Sequence, residues 1–263
     1  MKSQENGVDL GGFVRGREGE EELSTGKKMS GKEEWWWGPQ SSPSPPYPQH
    51  RTLPPEGSAG QGLEWALAHL IDQPETLHKL RREIDDVGDT GGRGMLSSKS
   101  LCSGMPYLNA VVLECLSMHP PVPVVLRSGH GEGAKAISGM TTVPVDGLNV
   151  RFNLADIGRD AKRWTDPDKF RPERFLAGGE AEDIGPAPGP KEIRMMPFGA
   201  GHRHCPGVNM GMLHIKCFLV ALVHNFDWAL SAENCSSGVD MTEQDGFIKI
   251  MKKPLSTHVT RRT

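Results

Sequence analysis

The run Phe198-Gly199-Ala200-Gly201-His202-Arg203-His204-Cys205-Pro206-Gly207 holds the densest reactive chemistry in the chain. A glycine-rich bend delivers one cysteine to the mouth of a helix whose start the sequence places at Pro206. Gly199 and Gly201 permit positive φ and the close approach of a flat ligand. Proline suits the first helical position, where its missing N–H is not needed. The backbone N–H groups of Gly207 and Val208 are then free to face the Cys205 sulfur. Those donors and the positive end of the helix dipole favour a thiolate, the form in which cysteine binds a metal. Arg203, two residues upstream, can pair with an acidic group on whatever the sulfur holds. Two rival uses exist. One is an inert capping cysteine. The other is zinc, because His202, His204 and Cys205 cluster and His214 and Cys217 stand three apart. Neither group has the paired C-x₂₋₄-C or H-x₃₋₅-H spacing of structural zinc, and Met212 and Ile215 surround the second with core-type residues.

Several helices must position that bend. Val208, Met212, Ile215, Leu219, Leu222 and Val223 form one apolar face of the helix that follows Cys205. Upstream, Leu63, Ala66, Leu67, Leu70 and Ile71 repeat at helical spacing until Pro74, which opens a second helix. That helix carries Leu77, Leu80, Ile84 and Val87, and Gly88 is expected to end it. A third begins at Pro106, turns Leu108, Val111, Val112, Cys115 and Leu116 inward, and stops at His119-Pro120-Pro121. Thr141–Val145, the Asp146-Gly147 turn and the alternating Leu148, Val150, Phe152 and Leu154 predict a β-hairpin. A polar, proline-bearing meander runs from Gly158 to Pro197. Phe247–Val259 reads as a proline-interrupted strand pair.

Composition sets the outer limits. The 263 residues are 36% hydrophobic and 24% charged, enough for a core, but 32 glycines and 21 prolines exceed ordinary usage. Residues 1–61 lack periodicity and are expected to be disordered; residues 62–263 form the folded part. Within the first segment, SPSPPYP could serve as a polyproline ligand of SH3 or WW domains, which would make the chain an interaction protein. A net charge of −3 provides no global basic field, so no nucleic-acid partner is expected. The longest apolar run, Cys217–Val223, is far shorter than the ~20 residues of a membrane span. The first residues show no apolar stretch of an export signal. Five cysteines without a CxxC pair point to a reducing compartment.

The pattern F-x-x-G-x-R-x-C-x-G, met by Phe198, Gly201, Arg203, Cys205 and Gly207, resembles the haem-ligand signature of cytochromes P-450. Asp166–Phe175 resembles the PERF segment of that family, and Leu63–Leu70 the latter half of its long central helix. Leu113–Pro121 resembles its K helix, and Phe247–Leu255 the closing β-segment of plant microsomal members. The resemblance covers about residues 62–260 and implies a mainly α fold with a small β part, the haem-binding C-terminal portion of the family fold. It implies haem with Cys205 as axial thiolate, Arg203 on a haem propionate, Phe198 beside the sulfur, and Gly201 and Gly207 admitting the porphyrin. It also implies a structural ion-pair network of Glu114 and Arg174. The implied activity is monooxygenation of a small apolar substrate with O₂ and electrons from NADPH-cytochrome P-450 reductase, at the endoplasmic reticulum membrane, or in the cytosol for a chain without an anchor. A basic cluster of Lys191, Arg194, His202, Arg203 and Lys216 is a candidate reductase-docking surface. The sequence departs from the family in two places. The K-helix pattern E-x-x-R reads Glu114-Cys115-Leu116-Ser117, and Pro55–Gly62 lacks the acid–alcohol pair that precedes the LEWALAHL segment. Arg127 falls about one residue from a second propionate-binding position. A non-catalytic remnant that binds haem weakly or not at all is the alternative these departures support.

Overall fold

A computed structural model of the chain describes residues 58–90, 104–128, 134–135, 143–144, 148–188, 192–230 and 238–262. The SPSPPYP segment lies outside them. Four helices build the core: α1 (Ser58–Asp72), α2 (Pro74–Thr90), α3 (Pro106–Met118) and α5 (Val208–Asn225). Helix α1 starts four residues before the expected boundary at 62, so residues 58–61 belong to the folded part. It packs on α5, α3 and α2 together. Every residue from Trp65 to Ile71 is therefore buried, rather than the single face that the spacing suggests. Gly88 does not end α2, which runs on to Thr90; a Cβ added there would meet nothing within 4 Å, and a glycine inside a helix costs only ~1 kcal/mol.

Helix α3 is the most deeply buried, with Leu108, Ala110, Val111 and Val112 fully enclosed. Its start is closed from outside its own sequence. Met105, the N-cap, offers no side-chain acceptor. Glu83 of α2 instead receives the N–H groups of Tyr107 and Leu108, both at 2.7 Å. Burial pushes the Glu83 carboxyl up, and those two donors oppose the shift.

The strands pair differently from the sequence expectation. Strand β1 (Val124–Ser128) lies antiparallel to β4 (Asn149–Asn153), with Leu126 opposite Arg151. The expected partner of the latter, around Val143, instead forms β3 (Val143–Pro144) against β2 (Ala134–Lys135). Helix α4 (Leu154–Gly158) takes over where alternation predicts that the strand continues, because Asn153 caps it. The expected pair within Phe247–Val259 is likewise divided. Strand β7 (Ile250–Met251) pairs with β6 (Glu243–Gln244), and β8 (Thr257–Arg261) pairs with β5 (Phe226–Leu230), which directly follows α5. A chain beginning a new helix or leaving one finds the nearest open strand edge, which local alternation does not encode.

Gly158 makes the tightest junction. A side chain there would overlap the backbone carbonyl oxygen of Ser117 in α3, and Ser117 Oγ donates to the Gly158 carbonyl at 3.3 Å. Gly158→Ala is expected to lower stability by about 1–3 kcal/mol or more, because the obstacle is backbone that cannot swing aside. A urea midpoint unchanged in that variant would show that α4 shifts freely.

Candidate functional site

The cysteine bend forms at the N-terminus of α5. Gly199 and Gly201 take φ of 73° and 69°, the left-handed region in which a side chain is strained. A short 3₁₀ turn spans Gly201–Arg203, and the bend closes when Cys205 N donates to the Phe198 carbonyl at 2.8 Å. Helix α5 begins at Val208 with Gly207 as N-cap, two residues later than expected; Pro206 and Gly207 form the turn before it. The thiol still lies over the helix mouth, because a Cβ on Gly207 would stand 3.7 Å from Cys205 Sγ. Cys205 is half-buried and free of any disulfide. Phe198 lies against Gly211 one turn into α5, where an added Cβ would stand 3.4 Å from its ring. Arg203 and Gly201 are exposed, nothing occupies the space above Gly201, and Arg203 has no ion pair among the described residues. His202 and His204 are exposed, and no metal-holding cluster exists among the described residues.

A cavity of about 520 Å³ opens beside the bend. Val125, Phe152 and Met196 give it apolar walls, Arg127, Arg163 and Asp160 give it charge of both signs, and Ala200 and Gly201 form the wall shared with the bend. Cys205 is not one of its walls. Arg127 bonds only to the carbonyl of its neighbour Leu126 among the described residues, at 2.8 Å, while Arg163 is paired with Glu192 and Asp160.

Behind the bend stands the ionic network. Glu114 Oε2 is 3.1 Å from Arg174 Nε, with both side chains 2% exposed. Arg171 N donates to Glu114 Oε1 at 2.8 Å. Arg174 also donates to the carbonyls of Thr165, Asp166, Lys169 and Arg171 and, at 2.9 Å, to Glu180 Oε1. Burial pushes the Glu114 carboxyl up to about 7 against the pull of the Arg171 N–H and Arg174. The guanidiniums of Arg174 and Arg194 lie 5.5 and 5.6 Å from the centroid of Trp164, whose Nε1 donates to the Arg194 carbonyl. Met196, two residues on, accepts from Gly199 N of the bend. A continuous chain of contacts thus joins α3 to the cysteine loop. Glu180 has no signal in the sequence: it is one acid among several in a glycine-rich loop.

The expected basic cluster is not assembled. Lys216 is buried on the inner side of α5, and Arg194 is committed to Glu192 and the Glu180 carbonyl. Lys191 lies outside the described residues. Helix α5 is long and apolar enough to cross a membrane by length and composition, but its face from Met212 to Val223 is occupied by the core.

Comparison with known proteins agrees with the geometry. The family model described as Cytochrome P450 matches residues 60–259. Cytochrome P450 89A9 of Arabidopsis thaliana is 37% identical over 76% of this chain and 38% of its own length. Berbamunine synthase of Berberis stolonifera is 38% identical over 73% of this chain and 37% of its own. 2-hydroxyisoflavanone synthase of Glycine max is 39% identical over 65% and 32%. The chain thus spans 32–38% of the length of these relatives. With its helical core, its small antiparallel sheets and its glycine-bent cysteine loop, the chain belongs to the cytochrome P450 family.

Proposed function

We propose that this chain supplies the cysteine side of a haem-thiolate monooxygenase site, with Cys205 as the iron ligand. The observation that carries the reading is the half-exposed, unpaired Cys205 thiol folded over the N-terminus of α5 behind two positive-φ glycines. The residues present fit a haem. Gly201 leaves open space where a side chain would stand, and the exposed Arg203 has no acidic partner among the described residues. The adjoining cavity is mostly apolar, and with Asp160 paired to Arg163 its Arg127 is left to meet a carboxylate of a flat molecule. Held by Cys205, a haem would supply oxygen activation, with the thiolate ligand adding electron density to the iron.

The chain's own residues do the rest. The Cys205 sulfur lies over the N-terminus of α5, where the helix dipole suits a ligand atom bound to a cation. Arg203 and Arg127 neutralise carboxylates at the ligand's edge. Phe198, set against Gly211, braces the bend on α5. The reading assigns this chain a small apolar substrate, electrons from NADPH-cytochrome P450 reductase and, as for plant members of the family, a place at the endoplasmic reticulum membrane. Pro55–Gly62 supplies no acid–alcohol pair, so haem binding and turnover are separate questions, and the departures favour a haem-binding chain with impaired turnover.

Haem at one hundred times its Kd is expected to stabilise the chain by about 2.7 kcal/mol. Arg203→Ala is expected to weaken haem binding about tenfold, the value of one charge-assisted hydrogen bond. A melting temperature indifferent to haem would refute the reading.

A further inference from the structure

Away from the cysteine loop, two buried histidines from different helices face each other. His69 Nε2 of α1 lies 2.9 Å from Nε2 of His119, the residue that ends α3. His119 Nδ1 lies 2.9 Å from Glu243 Oε1 on β6, and Arg159 Nη2 donates to that same oxygen at 3.0 Å. Lys249 Nζ stands 3.7 Å from the other oxygen of Glu243 and 2.8 Å from Asp245. Aromatic rings close both outer faces: Trp65 stacks on His119 at 3.9 Å and Phe170 on His69 at 4.3 Å. These contacts join α1, α3, the turn after α4, the meander and the C-terminal hairpin at one point.

Proton positions follow from donor and acceptor chemistry. An ionised carboxylate only accepts, so a neutral His119 carries its proton on Nδ1 and leaves Nε2 as an acceptor. His69 must then donate from Nε2. The chain is complete with both rings neutral. A further proton would have to enter a site where His69 and His119 are 7% and 3% exposed and Arg159 Nη2 lies 3.4 Å from His119 Nδ1. Burial, the neighbouring His119 and Arg159 hold His69 down to about 3. Burial also lowers His119, against the pull of Glu243. The hydrogen bond from His119 holds Glu243 down to about 2.

We propose that His69, His119 and Glu243 form an acid-released latch that fastens the hairpin of β6 and β7 to the helical body. The hairpin is held besides by Lys249 N on the Pro121 carbonyl at 3.0 Å and by the buried Met251 side chain. In the closed latch both rings stay neutral; once open, each regains the ordinary histidine value near ~6.5. Only the open form then takes up protons, so the latch is fully favoured above that value and loses favour as pH falls below it. For one histidine, the opening constant rises about tenfold between pH 7.5 and 5.5. The proposal goes beyond the haem reading and does not depend on it.

The test is amide hydrogen exchange of residues 238–252 in the full chain at pH 7.5 and 5.5, corrected for intrinsic rates. Opening is expected to increase about tenfold or more at the lower pH. In the double variant His69→Gln, His119→Gln, side-chain amides replace both rings without a titrating group, and the pH step is expected to vanish. A wild-type chain with no step, or a double variant that keeps it, overturns the proposal. If the double variant does not fold, ¹⁵N spectra of the wild-type imidazoles decide: neutral rings in the closed form at pH 5.5 are expected, and an imidazolium there refutes the latch.

Discussion

Replacing Arg174 with Ala is expected to destabilise the folded chain by about 3–5 kcal/mol, the cost of leaving a buried charge without its partner. The side chain is 2% exposed and holds Glu114, Glu180 and four backbone carbonyls between residues 165 and 171. Its loss strands the Glu114 carboxyl and frees carbonyls that water cannot easily reach. Domains of this kind have about 5–15 kcal/mol of stability in total, so the variant stands near the limit of folding. Chemical denaturation of wild type and variant measures the difference. Adding Glu114→Gln to the variant is expected to restore part of the loss, because it removes the stranded charge while keeping an acceptor for Arg171 N. A loss under about 1 kcal/mol would mean that the network is solvated and only weakly structural.

Replacing Cys205 with Ala is expected to lower haem affinity by about two orders of magnitude or more. Loss of groups that only support a metal ligand already costs about 10–100-fold, and loss of the ligand itself exceeds that. Folding is expected to change little, since the thiol is half-buried and contributes no disulfide. Circular dichroism and denaturation of the ligand-free variant separate the two effects. A variant that binds haem as well as wild type would shift the ligand role to another side chain, and the exposed His202 and His204 would be the first to examine.

Much of this arrangement was legible in the chain's own residues, for reasons that differ from part to part. The cysteine loop is a local object: two glycines, a proline and a helix start lie within ten residues, so its bend follows from backbone preference. Helices α1, α3 and α5 carry apolar repeats strong enough to mark them. The pairing of Glu114 with Arg174 came from family resemblance, since no local rule connects residues that far apart. Strand partners were not legible. Leu148, Val150 and Phe152 alternate correctly, but β4 joins β1 rather than the segment before the Asp146-Gly147 turn, because strand pairing depends on which edge the fold leaves open. Glu83, Glu180 and His69 carry no local mark either. Each is a polar residue whose partner arrives from another element, and nothing nearby in the chain announces a buried partner. The basic cluster failed for the opposite reason: nearness in sequence suggested a common surface, but Lys216 turns inward on α5.

The central claim, that Cys205 binds haem iron through its sulfur, is tested most directly by reconstituting the full chain with haem, reducing it, adding carbon monoxide and recording the Soret band. A thiolate-type band that disappears in Cys205→Ala is the expected result. A histidine-type band in the wild-type chain, unaffected by loss of Cys205, would contradict it.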